Sequence, residues 1–335
     1  MMTRPVNKVL RTTATVLMVA MTASACGAGS GAGPAQGGGD TISISGSSTV
    51  EPISARVGAA FRAANPAVGV TVEGPGTGDG FKRFCAGETD ISDASRAIKD
   101  SEAEACASAG VEYVELKVAF DGITVLTSPA NKAVSCLDFG DLYALVGPES
   151  EGFASWSDAN VLASDVGGKG GFPDAPLIVT APGEESGTYD TFVELVIDPL
   201  AEERGAEPAT RADYQSSPND NVIVQNITGN DTSFGWVGYA FFAENRDVLK
   251  AIAVDGGSGC VEPSDATIGD GSYPLSRPLF IYVSLTKLAA KPALGSFVDY
   301  YMSDEGLASV SAAGYVNLPA DQAAATMRAW EAARG

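Results

Sequence analysis

Two hydrophobic periodicities alternate along this chain. Thr41 to Ser45 (TISIS) alternates apolar and polar residues like a strand, and after Gly46-Ser47-Ser48-Thr49 the residues Val50, Ile53, Val57, Phe61 and Ala64 recur at helical spacing. Pro52 falls in the tolerated first turn of that helix, and Asn65-Pro66 ends it. Val70 to Glu73 reads as a strand, and GPGTGDG (Gly74 to Gly80) as a loop leading into FKRFCAG. From Thr89 a short strand ends at Ser92, Asp93, Ser95 and Arg96, and Ser101 with Glu104 has capping-box spacing for the next helix.

Later segments repeat the unit. Leu177, Ile178 and Val179 form a brief apolar run, Ser186-Gly187-Thr188 follows, and Tyr189, Phe192, Val193, Val196, Ile197 and Leu200 then recur at helical spacing until Pro199 closes the element. Between the strand-like runs Phe120 to Asn131 and Ser276 to Lys287 lie a Gly-rich loop (Gly167 to Gly171), an expected strand at Val222 to Val224 and an aromatic run from Phe234 to Phe242. Pro292 to Tyr301, GYVNLP and a final amphipathic helix return the chain to its first domain. The long β-rich runs are placed to cross between two α/β domains, and ligands of open α/β sheets bind beyond the carboxyl ends of strands.

Strand, hydroxyl-rich loop and helix is an arrangement suited to anions. The first N–H groups of a helix lack intrahelical partners, the dipole is positive there, and Gly187 lets an oxyanion approach the backbone. An ordinary N-cap would look the same in any one loop, so the weight lies in the repetition. Thr77 is the hydroxyl of the Gly74 to Gly80 loop, whose spacing is not the GxGxxG of a dinucleotide site. Arg96 is the one cation expected near these loops.

Composition narrows the field. The 335 residues include no histidine, which excludes Ser-His-Asp chemistry and histidine-ligated metal hydrolysis. GEESG is not the GxSxG elbow, and Ser284-Leu285-Thr286-Lys287 matches S-x-x-K without S-D-N or K-T-G, so neither marks a hydrolase. Arg4, Lys8 and Arg11 precede a short apolar stretch, Ala14 to Ala23, as in an export signal. Ala23-Ser24-Ala25-Cys26 resembles a bacterial lipobox, with Ala23 where Leu is usual, so Cys26 is the expected lipidation site. GAGSGAGPAQGGG then reads as a flexible tether. Without the leader, 18 basic face 42 acidic side chains, a charge of −24 that excludes nucleic acid as a partner. Cys85, Cys106, Cys136 and Cys260 remain, an even number in an exported chain. Of three connectivities, Cys85 with Cys106 and Cys136 with Cys260 keeps each bridge within one expected domain; a zinc site lacks both histidine and CxxC spacing.

The segments GSSTVEPI, GTGDGFKRFCAGETDISDASRAI, PGEESGTYDTF, SPNDNVIVQ, YPLSRPLFIYVS and GYVNLP resemble the phosphate-binding proteins of bacterial phosphate ABC-type importers. The resemblance implies a periplasmic-binding-protein-like fold, two α/β domains joined by two crossover strands with the ligand in the interdomain cleft. The expected organisation is a leader and lipobox (1–26), a tether (27–40), domain 1 (41–124 plus 281–335) and domain 2 (125–280). It implies inorganic phosphate as ligand with no cofactor, no metal and no catalysis, permease subunits as partners, and a monomer lipid-anchored to the outer face of the cytoplasmic membrane. Carried over position by position, it points to Ser48, Thr49 and the Val50 amide, to Thr77, to Ser95 and Arg96, and to Ser186, Gly187 and Thr188. Many relatives have an arginine at Pro182 and a carboxylate at Arg96, so the cation has moved between loops. Phosphate near neutral pH keeps a proton that sulfate lacks, and a carboxylate acceptor would select for it; Asp93 is the first candidate, with Glu185 and Asp79 behind it. Sulfate, molybdate or an organic phosphate is the alternative ligand, and a phosphate-releasing hydrolase the more distant alternative.

Overall fold

The computed structural model describes residues 41–184 and 186–335. The expected export leader, Cys26, the expected tether and Glu185 lie outside the described residues. From Thr41 the chain builds lobe 1 as β1 (Thr41–Gly46), α1 (Glu51–Ala64), β2 (Gly69–Glu73), α2 (Thr77–Cys85), β3 (Ile91–Ala94) and α3 (Asp100–Ser108). β1 lies between β2 and β3 and is parallel to both. Its alternation buries Ile42 and Ile44, and Ile53, Val57 and Phe61 of α1 join them in one core.

β4 (Tyr113–Thr127) then runs through both lobes. It starts ahead of the expected Phe120 because Val114, Leu116 and Val118 alternate with Glu115 and Lys117, the period of a strand with one face in the lobe 1 core. Lobe 2 follows: β5 (Cys136–Asp138), α4 (Phe139–Val146), α5 (Asn160–Asp165), β6 (Ile178–Ala181), α6 (Gly187–Phe192), α7 (Asp198–Arg204), β7 (Gln215–Ser216), α8 (Asp220–Thr228), β8 (Ser233–Gly238), α9 (Tyr239–Glu244), β9 (Lys250–Asp255), β10 (Cys260–Val261) and α10 (Asp265–Gly269). β11 (Ser276–Ser284) recrosses, and α11 (Leu285–Leu288), α12 (Pro292–Tyr301), α13 (Asp304–Ala312) and α14 (Ala320–Arg334) complete lobe 1.

The register locates the crossing. β11 pairs antiparallel with β4 from Ser276↔Gly122 onward, whereas Ile123 to Thr127 of β4 pair with β8, and Val125 to Thr127 also with β9 on the other edge. Ala119 and Leu279 belong to the lobe 1 core, Ile123 and Leu275 to that of lobe 2. The chain therefore changes lobe near Asp121 and Arg277, a few residues before the expected boundaries. Cys85 is bonded to Cys106 and Cys136 to Cys260, each within one lobe.

Four local expectations change. Val222 to Val224 is helical, not a strand: Asn219 caps α8 at Asn221 N (3.0 Å), Ile223 and Ile227 are buried four residues apart, and Val222 is exposed. Pro199 does not stop its helix, because a π turn at Val193–Ile197 resets the hydrogen bonding and the proline falls in the first turn of α7. α2 begins at Thr77 within the glycine loop; Gly80 is held there by close approach, since a Cβ would lie 2.5 Å from Gly46 Cα. The cap of α3 is formed by Glu102, which accepts from Lys99 N at 2.9 Å, rather than by Ser101 and Glu104. Among the described residues no helix is long and apolar enough to cross a membrane.

Candidate functional site

The hydroxyl-bearing turns meet at the crossing. After β1, Ser47 N donates to Asp93 O of β3 (2.9 Å), and Gly76 N to Gly46 O (2.8 Å), which ties the first turn to the third and second. Thr77 Oγ1 lies 3.0 Å from Ser95 Oγ and accepts from Ser95 N at 3.2 Å. Lobe 2 supplies the fourth turn, where Ser186 Oγ accepts from Thr188 N (3.2 Å) and opens the continuous helical segment 187–204.

Contacts between lobes close the cluster. Ser48 Oγ donates to Asp190 Oδ2 at 2.7 Å. A Cβ on Gly187 would lie 3.2 Å from Thr49 Cα, a tight contact, so glycine eases the approach of the fourth turn to the first. Contacts between their turns thus draw Thr49, Thr77, Ser95, Ser186, Gly187 and Thr188 into one neighbourhood; the amide of Val50, at the start of α1, donates to Ser47 O (3.2 Å). Beside it a cleft of about 310 Å³ is walled by Asp121, Thr188, Asp220, Glu244 and Tyr315 among others.

The charges differ from expectation. Arg96 is not the lone cation: it grips Glu102 with both Nη atoms (2.8 and 2.7 Å) and stacks over Phe81 (5.5 Å), and that pairing raises its pKa, with Glu194 of lobe 2 adding a smaller push. Arg277, only 6% exposed, touches the loops instead. Its Nη2 donates to Thr49 Oγ1 (3.1 Å) and to Thr191 Oγ1, its Nη1 to Glu194 (2.5 Å), and its Nε stands 3.7 Å from Asp121. Burial raises the Asp121 carboxyl, with the Arg277 charge opposing. The signal for Arg277 was an arginine at the entry of an apolar crossover strand, where a charge needs buried partners.

The candidate acceptors lie in different surroundings. Asp93 is fully buried, takes a hydrogen bond from Ser54 Oγ (3.0 Å) beneath α1, and its Oδ2 has no partner among the described residues. Burial pushes it up to about 7; the Ser54 bond opposes and the Glu51 charge adds. Asp79 is exposed and paired with Lys82 (2.7 Å). Asp190, which no periodicity singled out, is the carboxylate that meets Ser48 across the lobes. Such a set of hydroxyls and amides, backed by one buried guanidinium, can surround a small oxyanion. Among the described residues no group of three or more Cys, Asp or Glu side chains could hold a metal ion.

Comparison with known proteins agrees with this geometry. The family model described as PBP superfamily domain matches residues 28–305. Protein SphX of Synechocystis sp. is 40% identical over 281 residues, covering 83% of this chain and 79% of the relative. Phosphate-binding protein PstS of Staphylococcus saprophyticus is 34% identical over 308 residues, covering 91% and 88%. The crystal structure of a possible phosphate-binding protein from Planctomyces limnophilus superposes with a TM-score of 0.78 at 36% identity, over 88% of this chain and 99% of that one. The chain therefore belongs to the PBP superfamily, within the family of the phosphate-binding proteins PstS.

Proposed function

We propose that this chain captures inorganic phosphate outside the cytoplasmic membrane and delivers it to the permease of an ABC-type importer, without catalysis of its own. The observation that carries this reading is the convergence of hydroxyl turns from both lobes on one spot, with Ser48 and Asp190 bonded across the gap. The names of the relatives support the ligand. Ser48, Thr49, the Val50 amide, Thr77, Ser95, Ser186, Gly187 and Thr188 are the proposed donors, with Arg96 as a peripheral cation and Asp190 ahead of Asp93 as the acceptor of the phosphate proton. The lipid anchor at Cys26, and a monomer held near the membrane by the tether, belong to the same proposal.

Charge-assisted hydrogen bonds contribute about 1.5–3 kcal/mol each. Several of them, after desolvation and closure, leave the about 8 kcal/mol of a micromolar complex. Calorimetric titration with phosphate and with sulfate tests the reading. Phosphate should bind and sulfate should compete poorly, and Thr188→Ala or Ser95→Ala should weaken phosphate about 10- to 150-fold. Equal affinity for the two anions, or unchanged affinity in both variants, overturns it.

A further inference from the structure

Arg277 stands behind the cradle, on the crossover strand itself, and binds both lobes at once. A guanidinium only donates, so Thr49 Oγ1 and Thr191 Oγ1 both act as its acceptors and their own protons must point elsewhere. Thr191 has two oxygens to receive its proton, Asp121 Oδ2 and Gly187 O, each at 2.8 Å. Thr49 has Thr191 Oγ1 at 3.4 Å, long for a bond between hydroxyls, so of the two protons that of Thr49 is the more weakly held. Thr49 belongs to the first turn of lobe 1, whereas Thr191 and Glu194 sit on the helical segment that begins at Gly187 in lobe 2. If the lobes part, the guanidinium cannot stay with both sets.

Resting on the phosphate reading of the cradle, we propose that Arg277 is a positioning residue that couples anion capture to lobe closure, turning the Thr49 proton toward the ligand and latching the helical segment through Thr191 and Glu194. Its effect falls on the closed state, and therefore on release more than on encounter. Lysine keeps the charge but not the fork that spans Thr49, Thr191 and Glu194.

The test uses the full chain, inorganic phosphate and stopped-flow kinetics. Arg277→Lys should speed phosphate dissociation about 10- to 100-fold while association changes by less than about threefold. Glu194→Gln, whose side chain is 44% exposed, should shift dissociation in the same direction by less. Arg277→Met combined with Asp121→Asn removes both buried charges together, so that neither is left unpaired. In that background Thr49→Ala should cost almost nothing further, against about tenfold in the wild type. Wild-type dissociation rates in Arg277→Lys and Glu194→Gln, or the same cost of Thr49→Ala in both backgrounds, overturn the proposal. A wild-type chain that binds no phosphate overturns instead the functional reading beneath it.

Discussion

Replacing Gly187 by alanine should separate ligand affinity from fold stability, because the new methyl would meet the opposite lobe. The added Cβ would lie 3.2 Å from Thr49 Cα and 3.6 Å from Ser48 O and Thr49 N. Carbon atoms prefer about 3.5–4.0 Å, so the contact is short by about 0.5 Å. Gly187 opens α6 outside the left-handed region, so alanine is not strained there, and helix propensity favours it by up to about 1 kcal/mol. The least costly relief is a slight parting of the lobes. A shift of about 0.5 Å takes charge-assisted bonds out of their normal range, and halving two or three of them costs about 2–4 kcal/mol, roughly 30- to 1,000-fold in affinity. Calorimetry with phosphate, and thermal unfolding without it, read the two effects apart. Wild-type affinity in Gly187→Ala, or a melting temperature that falls with the affinity, would refute the reasoning.

Other expectations follow from single features. Asp93 titrates at about 7 when folded against an ordinary 3.8, so the folded state holds the extra proton between those values and stability declines as pH rises through them, by up to about 1.4 kcal/mol per unit. Asp93→Asn should flatten that part of the stability curve measured by chemical denaturation from pH 4 to 7; an unchanged slope would contradict the burial argument. Asp190→Asn exchanges the carboxylate facing Ser48 for an amide and should narrow the preference for phosphate over sulfate about tenfold or more in competition calorimetry. Identical selectivity would remove Asp190 as the proton acceptor. Replacing Cys136 and Cys260 by serine should cost more stability than replacing Cys85 and Cys106, since the bridges close 124- and 21-residue separations, about 4–5 against about 3 kcal/mol in the chain-entropy limit. Denaturant midpoints in the reverse order would count against that account.

The strands and helices whose apolar pattern was unambiguous needed no tertiary information. TISIS alternates and lies in β1, and the helical spacing from Val50 to Ala64 becomes α1 with Val50 at its N-cap. Short apolar runs were another matter. Val222 to Val224 has the composition of a strand, and only the Asn219 cap and the buried pair Ile223 and Ile227 make it a helix. Pro199 read as a stop because a regular α-helix cannot carry it, and the π turn before it is invisible to periodicity.

The site divides in the same way. Ser48, Thr77, Ser95 and Ser186 could be proposed from sequence because strand-to-helix turns rich in Gly, Ser and Thr are local candidates for anion chemistry. Arg277 and Asp190 could not, since the first is one residue within an apolar crossover and the second one acidic position on a helix. Arg96 read as the lone cation, and the fold pairs it with Glu102 and adds Arg277 beside Thr49. By itself the order of residues determined which turns could hold an anion, because hydrogen-bond donors at a helix start are a local property. Which charges face those turns was decided by how β4 and β11 cross between lobes, because Coulomb and hydrogen-bond partners are set by distance in space rather than along the chain.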